Sequence, residues 1–331
     1  MNSGGSAQVS SHEFADFDEF RELLAGWDLQ ITQLSRGSLQ LRWDQVAFDD
    51  MVIGYHRVAG AFADVSKVDQ GGRLIVVCLA PTPTVWCGLD LAPGHLVVMG
   101  PGREYRSRIE HWESLEIWVA DRLASELGLL GGACLPSGLP PERSIVPLDE
   151  AYVGAFRALG RKLLSPFALG KELGDELLFA PALRERILNL LRSALEDGAA
   201  RRAKVAPLQR VPRYDLAIKA LQVIDARSAD CAVDDDQGGT LAEIAEVVGT
   251  TPRAIQYAFR SALGVTPYQY MLARRLNLAR HDLRVTGRGR APVTEAAFDY
   301  RFFSLSRFAQ QYQRLFGETP SETLARAHTI G

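Results

Sequence analysis

The side chains best suited to chemistry are concentrated at the C-terminal end of this chain. Residues 251–331 hold 12 arginines and no lysine against 5 acids, whereas residues 1–250 hold 25 basic and 35 acidic side chains. The net charge of −3 therefore hides a basic end on an acidic body. Guanidinium groups pair with phosphates and fork onto guanine, and carboxamides fork onto adenine. This compact basic end on an acidic body points to an anionic partner for that end alone, such as nucleic acid, with a solvated arginine-rich surface as the equally weighted plainer reading.

Other chemistry finds less support. A metal site needs two or three histidines and a carboxylate converging on one ion. The available groups are His56, His95 and His111 with Glu104, and no His-x-His pair exists. Cys78, Cys87, Cys134 and Cys231 lie far apart with no Cys-x-x-Cys pair, which argues against structural zinc and against a disulfide framework. There is no Gly-x-Ser-x-Gly elbow for a serine nucleophile. The expectation is no metal, no cofactor and no enzyme.

The elements that must position these groups fall into three regions. At 331 residues and 47% apolar content the chain is long enough for two domains. No apolar run approaches the roughly 18 residues of a membrane span, and MNSGGSAQVSSHEF lacks the features of a secretion signal. A cytoplasmic location follows as an expectation, with no membrane partner. Phe14 to Trp27 has a helical spacing of apolar residues. Residues 28–121 are short apolar or alternating runs broken at Asp49-Asp50, Gly71-Gly72, Pro81 to Pro83, Ala92-Pro-Gly94 and Gly100-Pro-Gly102, the texture of a β-sandwich or small barrel. Beyond Pro141 the period changes to that of amphipathic helices at 148–164 and 181–195, and a polar linker with Pro207 and Pro212 follows. The predicted boundaries are 1–145, 146–204 and 205–331.

The last region reads as seven helices and repeats itself. Phe259-Arg-Ser-Ala-Leu-Gly264-Val-Thr-Pro267 matches Tyr312-Gln-Arg-Leu-Phe-Gly317-Glu-Thr-Pro320 at an offset of 53. Thr251 and Ser304 are in register as helix caps, and Ala245 and Ala297 as small residues where two helices can cross closely. Thr240-Leu-Ala-Glu243 reads as a capping box. Two units of helix, turn and capped helix are what a pair of helix-turn-helix motifs requires, at about 241–262 and 293–316.

This region resembles the AraC/XylS family of bacterial transcription regulators. Leu241-Ala-Glu-Ile-Ala245 with Gly249-Thr-Thr-Pro-Arg253-Ala-Ile255-Gln-Tyr-Ala-Phe259 resembles its first motif. Arg274-Arg-Leu-Asn-Leu-Ala279 resembles its connecting helix, and Phe302-Phe-Ser-Leu-Ser-Arg-Phe308 through Tyr312, Phe316-Gly317 and Thr319-Pro320 its second. The family usually has glycine where Arg301 stands, so this residue must take a positive φ or reshape the turn. The resemblance implies promoter DNA as partner, with RNA polymerase open as a protein partner. It places Arg253, Gln256, Tyr257, Phe303, Ser306, Arg307 and Gln310 toward the bases. Arg260, Arg274, Arg275 and Arg314 fall to phosphates or structural ion pairs.

The resemblance also implies an α+β multidomain chain whose N-terminal region is a cupin-like β-domain binding a small effector. Arg103, Tyr105 and Trp86 are the candidates there, and the arginines after the Pro-Gly turn suggest an anionic effector. Two alternatives are a metal-dependent cupin enzyme fused to a DNA-binding module, and a constitutive DNA-binding protein whose β-domain only dimerises. The helices of 148–195 either form a homodimer contact or close the β-domain.

Overall fold

The computed structural model of the protein describes residues 8–14, 16–23, 28–68, 71–79, 84–129, 144–164, 180–201, 207–226, 239–285 and 292–330. Cys134, Cys231, Trp27 and the Pro136 to Pro141 break lie outside them, as do parts of the linker. No described helix is long and apolar enough to cross a membrane.

The N-terminal region is one antiparallel sheet of ten strands ordered β1-β3-β4-β9-β5-β8-β10, with β2 paired to β4 and β6 to β7 and β9. These strands are β1 (Gln8–Phe14), β2 (Asp28–Gln33), β3 (Gln40–Phe48), β4 (Met51–Lys67) and β5 (Gly72–Cys78). They continue as β6 (Thr84–Trp86), β7 (Leu89–Leu91), β8 (His95–Met99), β9 (Glu104–Ala120) and β10 (Ile145–Pro147). The frame is the pair β4 and β9, which run together from Met51↔Val119 to Lys67↔Glu104. A register shift between Ala59 and Phe62 interrupts the pairing. Such a bulge bends a strand and strengthens its twist, which suits a sheet that closes around a cavity.

The apolar run Leu74 to Leu79 is continuous because both faces of β5 are covered. Ile75 and Val77 join Met51, Ile53, Leu115 and Ile117 in one cluster, while Leu74 and Val76 join Trp86, Val97 and Tyr105 in another. The first cluster is closed by α2 (Asp121–Glu126), α3 (Glu150–Leu164) and α4 (Ala180–Arg201) through Leu123, Ala124, Phe156, Leu159, Ile187, Leu188, Leu191 and Ala194. The apolar stripe of α3 and α4 is thus buried within the chain. Of the two roles expected of them, closing the β-domain is the one seen, and the stripe no longer argues for a dimer.

The amino end differs from the expected helix over Phe14 to Trp27. Gln8–Phe14 is strand β1 on β3, and among the described residues helix α1 covers Phe17–Leu23, residues 24–27 lying outside them. Asp16 caps α1, its Oδ1 accepting from the Glu19 amide at 2.9 Å.

Seven described helices follow, α5 (Tyr214–Ala226), α6 (Gly239–Val248), α7 (Pro252–Leu263), α8 (Pro267–Val285), α9 (Pro292–Asp299), α10 (Leu305–Phe316) and α11 (Pro320–Ile330). Thr251 caps α7 by accepting from the Ala254 amide, and Ser304 caps α10 by accepting from Arg307. Gly264 (φ 70°) and Gly317 (φ 77°) end them in the left-handed conformation. Helix α6 begins at Gly239, one residue ahead of the capping box expected at Thr240.

Candidate DNA-reading helices and the cavity beside them

Each unit of the repeat is built the same way. In the first, α6 and α7 meet at a turn where Gly249 has φ 73° and the Thr250 amide donates to Ala245 O at 2.8 Å. In the second, α9 and α10 meet at Arg301 with φ 62°, and the Phe302 amide donates to Ala297 O at 2.7 Å. The arginine adopts the conformation glycine would take, at a cost of about 1–2 kcal/mol. The turn is kept rather than reshaped.

The apolar sides of α7 and α10 are fully buried, through Ile255, Ala258 and Phe259 in one and Phe308 and Tyr312 in the other. Their other sides carry the residues named from sequence. Arg253, Gln256, Tyr257 and Arg260 are exposed on α7, and Ser306, Arg307, Gln310 and Arg314 on α10. Phe303 stands 58% exposed before α10, and Arg301 is also exposed. Arg253 lies over the Tyr257 ring at 5.6 Å and donates to its hydroxyl at 3.2 Å, so these two present one surface.

Two arginines do not belong to that surface. Arg275 is 5% exposed, donates to Tyr300 O at 2.6 Å and covers the Phe302 ring at 4.3 Å. Arg274 is paired with Asp225 at 3.0 Å and lines a small cavity between α5, α8 and the sheet. Arg274 turns toward α5 and Arg275 toward the α9–α10 turn, so each is engaged by a neighbouring element.

The helical region also packs on the sheet, and both α7 and α10 are held there by their C-terminal ends. Arg108 of β9 donates to Leu263 O at 3.2 Å at the end of α7. At the end of α10, Leu315 O accepts from Gln33 Nε2 at 2.8 Å and from the Gly37 amide at 3.0 Å. A Cβ at Gly317 would stand 3.0 Å from the Ser38 amide nitrogen, so its glycine serves close approach as well as φ. Between them, α8 lies along β2, where Asn277 and Gln33 exchange hydrogen bonds at 3.1 and 3.2 Å.

The segment leading into α1 reaches the second unit through buried charge. Asp16 is 1% exposed and pairs with Arg280 at 3.0 Å and with Arg284 at 2.5 Å. Arg280, 4% exposed, also pairs with Glu318 at 2.8 Å. Thr323 donates to Glu318 at 2.7 Å and meets the Tyr312 hydroxyl on α10 at 2.7 Å. Beside this chain His281 faces Asp18 at 3.2 Å. Burial would push the Asp18 carboxyl up, but His281, Arg280 and Arg284 outweigh it and hold it below its usual value.

The other face of α1 closes a cavity of about 110 Å³ in the sheet region. Phe17 and Phe20 form part of its wall, with Phe62, Val76, Trp86, Val97 and Tyr105 among the rest. Its polar lining is His56, Asp64, Ser66, Thr84, Arg106, Ser107 and Glu116. His56 Nδ1 meets Glu116 at 3.3 Å, and Phe20 stacks on its ring at 5.0 Å. Burial alone would raise Glu116, but His56, Ser114 and Trp112 outweigh it and hold the carboxyl low. Of the effector candidates, Trp86 and Tyr105 line the cavity, stacked at 5.7 Å. Arg103 does not; it covers the Tyr105 ring at 5.6 Å. His95 meets Ala92 O at 2.8 Å, and among the described residues no group of His, Cys, Asp and Glu is placed to hold a metal. Sequence reasoning missed Asp16, Asp64, Thr84 and Glu116, whose partners lie far along the chain.

These features agree with comparison to known proteins. Residues 244–326 match a helix-turn-helix domain model. A stretch of 90 residues is 39% identical to the XylDLEGF operon transcriptional activator 3 of Pseudomonas putida, covering 27% of each chain. Another of 85 residues is 38% identical to a probable thc operon regulatory protein of Rhodococcus erythropolis, covering 26% of each. The matched part thus spans about a quarter of these relatives' length. A crystal structure of an AraC-type transcriptional regulator from Chromobacterium violaceum is 27% identical over 35% of this chain and 94% of its own, with a TM-score of 0.29. The C-terminal region thus contains a helix-turn-helix domain and is similar to the matching part of these operon regulators.

Proposed function

We propose that the chain is a sequence-specific DNA-binding transcription regulator, not an enzyme, and that a small molecule in the N-terminal β-domain controls it. Residues 1–145 form the effector domain, 146–204 its closing helices and linker, and 205–331 the DNA-binding domain. Arg253, Gln256 and Tyr257 read one major groove, and Phe303, Ser306, Arg307 and Gln310 the next. Arg and Gln supply the forks for guanine and adenine, and promoter DNA is the partner.

The observation that carries the control reading is α1. One side of it supplies Phe17 and Phe20 to the cavity wall, and the residues at its start grip Arg280 and Arg284 of α8. A ligand that shifts these rings also shifts Asp16, and with it the network that ends on Tyr312 of α10. A ligand can bias such an equilibrium only by its differential affinity for the two arrangements.

Gel shift of the full chain on DNA from its own locus, at two salt concentrations, tests the first half of this reading. Affinity should fall steeply with salt as arginines displace counterions. The control half is tested with Phe20→Ala, which empties part of the wall without touching the DNA face. Its DNA affinity should differ from that of the parent; identical affinity and salt slope would contradict a route through α1.

A further inference from the structure

The cavity does not look built for an anion. Two carboxylates, Asp64 and Glu116, line it, and its single arginine, Arg106, is already paired with Glu104 at 2.6 Å. Glu116 is committed to His56, Ser114 and Trp112. Asp64 accepts a hydrogen bond from the Ser107 hydroxyl and, among the described residues, forms no ion pair with a cation. Two further wall atoms have no hydrogen-bond partner among the described residues, Nε2 of His56, 6% exposed, and Oγ1 of Thr84, 1% exposed. Buried polar groups are nearly always satisfied, so these atoms mark where an occupant's polar substituents would sit.

We propose that the cavity takes a small one-ring molecule bearing a protonated amine, with the ammonium on Asp64 and the ring among Phe17, Phe62, Trp86 and Tyr105. Its size fits. An apolar cavity near 150 Å³ accommodates a benzene ring, and at about 110 Å³ this one limits the occupant to a single ring with a short arm, for which Phe17 and Phe20 would have to yield. Electrostatics fit as well. Burial and the nearby charge of Glu116 push the Asp64 carboxyl up to about 7. A cation beside it would relieve that cost, whereas a carboxylate would add to it. The aromatic wall provides ring faces that attract a cation. This replaces the anionic effector suggested by the arginines after the Pro-Gly turn. Arg103 covers Tyr105, and Arg108 is engaged with Glu110 and Leu263 O.

The inference rests on the reading of the β-domain as an effector domain, and three probes of one shape separate the two. Benzylamine, benzyl alcohol and benzoate are compared by thermal shift and calorimetry on the full chain and on Asp64→Asn. The amine should raise the melting temperature most and bind roughly tenfold or more tighter than benzoate. Asp64→Asn should weaken the amine by at least that factor and leave the alcohol unchanged. Benzoate binding as tightly as the amine, or an amine affinity untouched by Asp64→Asn, would overturn the cationic class while keeping the effector domain. No shift with any of the three at millimolar concentration would count against an occupied cavity and so against the reading beneath it.

Discussion

The two helix-turn-helix units are nearly the same device attached to the rest of the molecule in different ways. The first leans on the sheet mainly through an apolar cluster that includes Val85, with Leu34 and Ala63 packed against it, and through the Arg108 bond to Leu263 O. The second is held by backbone and carboxamide bonds to Leu315 O and by the buried charges of Asp16, Arg280 and Glu318. An apolar contact tolerates sliding, whereas a buried ion pair is strongly destabilising once one partner leaves. The difference ties the second unit, rather than the first, to the segment that leads into α1.

Removing the charge that marks the difference should have the largest effect. Asp16→Asn leaves Arg280 and Arg284 short of a buried partner and should cost about 3–5 kcal/mol. Hydrogen exchange would show lost protection in the C-terminal half of α8 and in α9 to α11, with α6 and α7 little changed. Equal loss in both units would erase the distinction.

Asp64 is a half-buried acid on the first unit's side, lining both the β-domain cavity and a smaller one with Tyr214, Leu263 and Arg108. Its carboxyl titrates near 3.8 when exposed and about 7 in the fold. Below the first value it is protonated in both states and its ionisation costs nothing. As pH rises toward the second, the folded state must carry a charge it resists, and stability falls. Asp64→Asn should therefore gain on the parent with rising pH, by up to about 4 kcal/mol above pH 7. Melting curves at mildly acidic and alkaline pH check this, and a constant gap would contradict it.

On the reading faces, Gln256→Ala and Gln310→Ala should each relax base preference at one half of the site, by about 1–3 kcal/mol of discrimination. Arg274→Ala should lower thermal stability instead of base preference, because its guanidinium is paired with Asp225. The smallest effect belongs to the turns. Gly249→Ala should cost about 1 kcal/mol, while Arg301→Gly should change stability by less than about 1, relief of the positive φ being offset by unfolded-chain entropy. Denaturant midpoints would show it.

Caps and repeats are local signals, and they made the helical region legible. Thr251, Ser304, Gly264 and Gly317 each act within four residues of themselves, and the sequence offset aligned the two turns, Arg301 included. The sheet was legible in texture but not in pairing. Nothing local tells that β4 will meet β9, or that Asp64 will stand opposite Ser107. The Asp16–Arg280 pair joins residues 264 apart. For Arg274 and Arg275 the sequence left phosphate contact and structural ion pair both open, because their partners Asp225 and Tyr300 O lie 49 and 25 residues away.

The central claim is that two units, joined by α8, read DNA together. Selection of bound sequences from a random duplex pool by the full chain tests it most directly, repeated with Gln256→Ala and with Gln310→Ala. The account predicts two conserved blocks about one helical turn apart, roughly 10 base pairs, with each substitution blurring a different block. A single block, or loss of both blocks from either substitution, would contradict it.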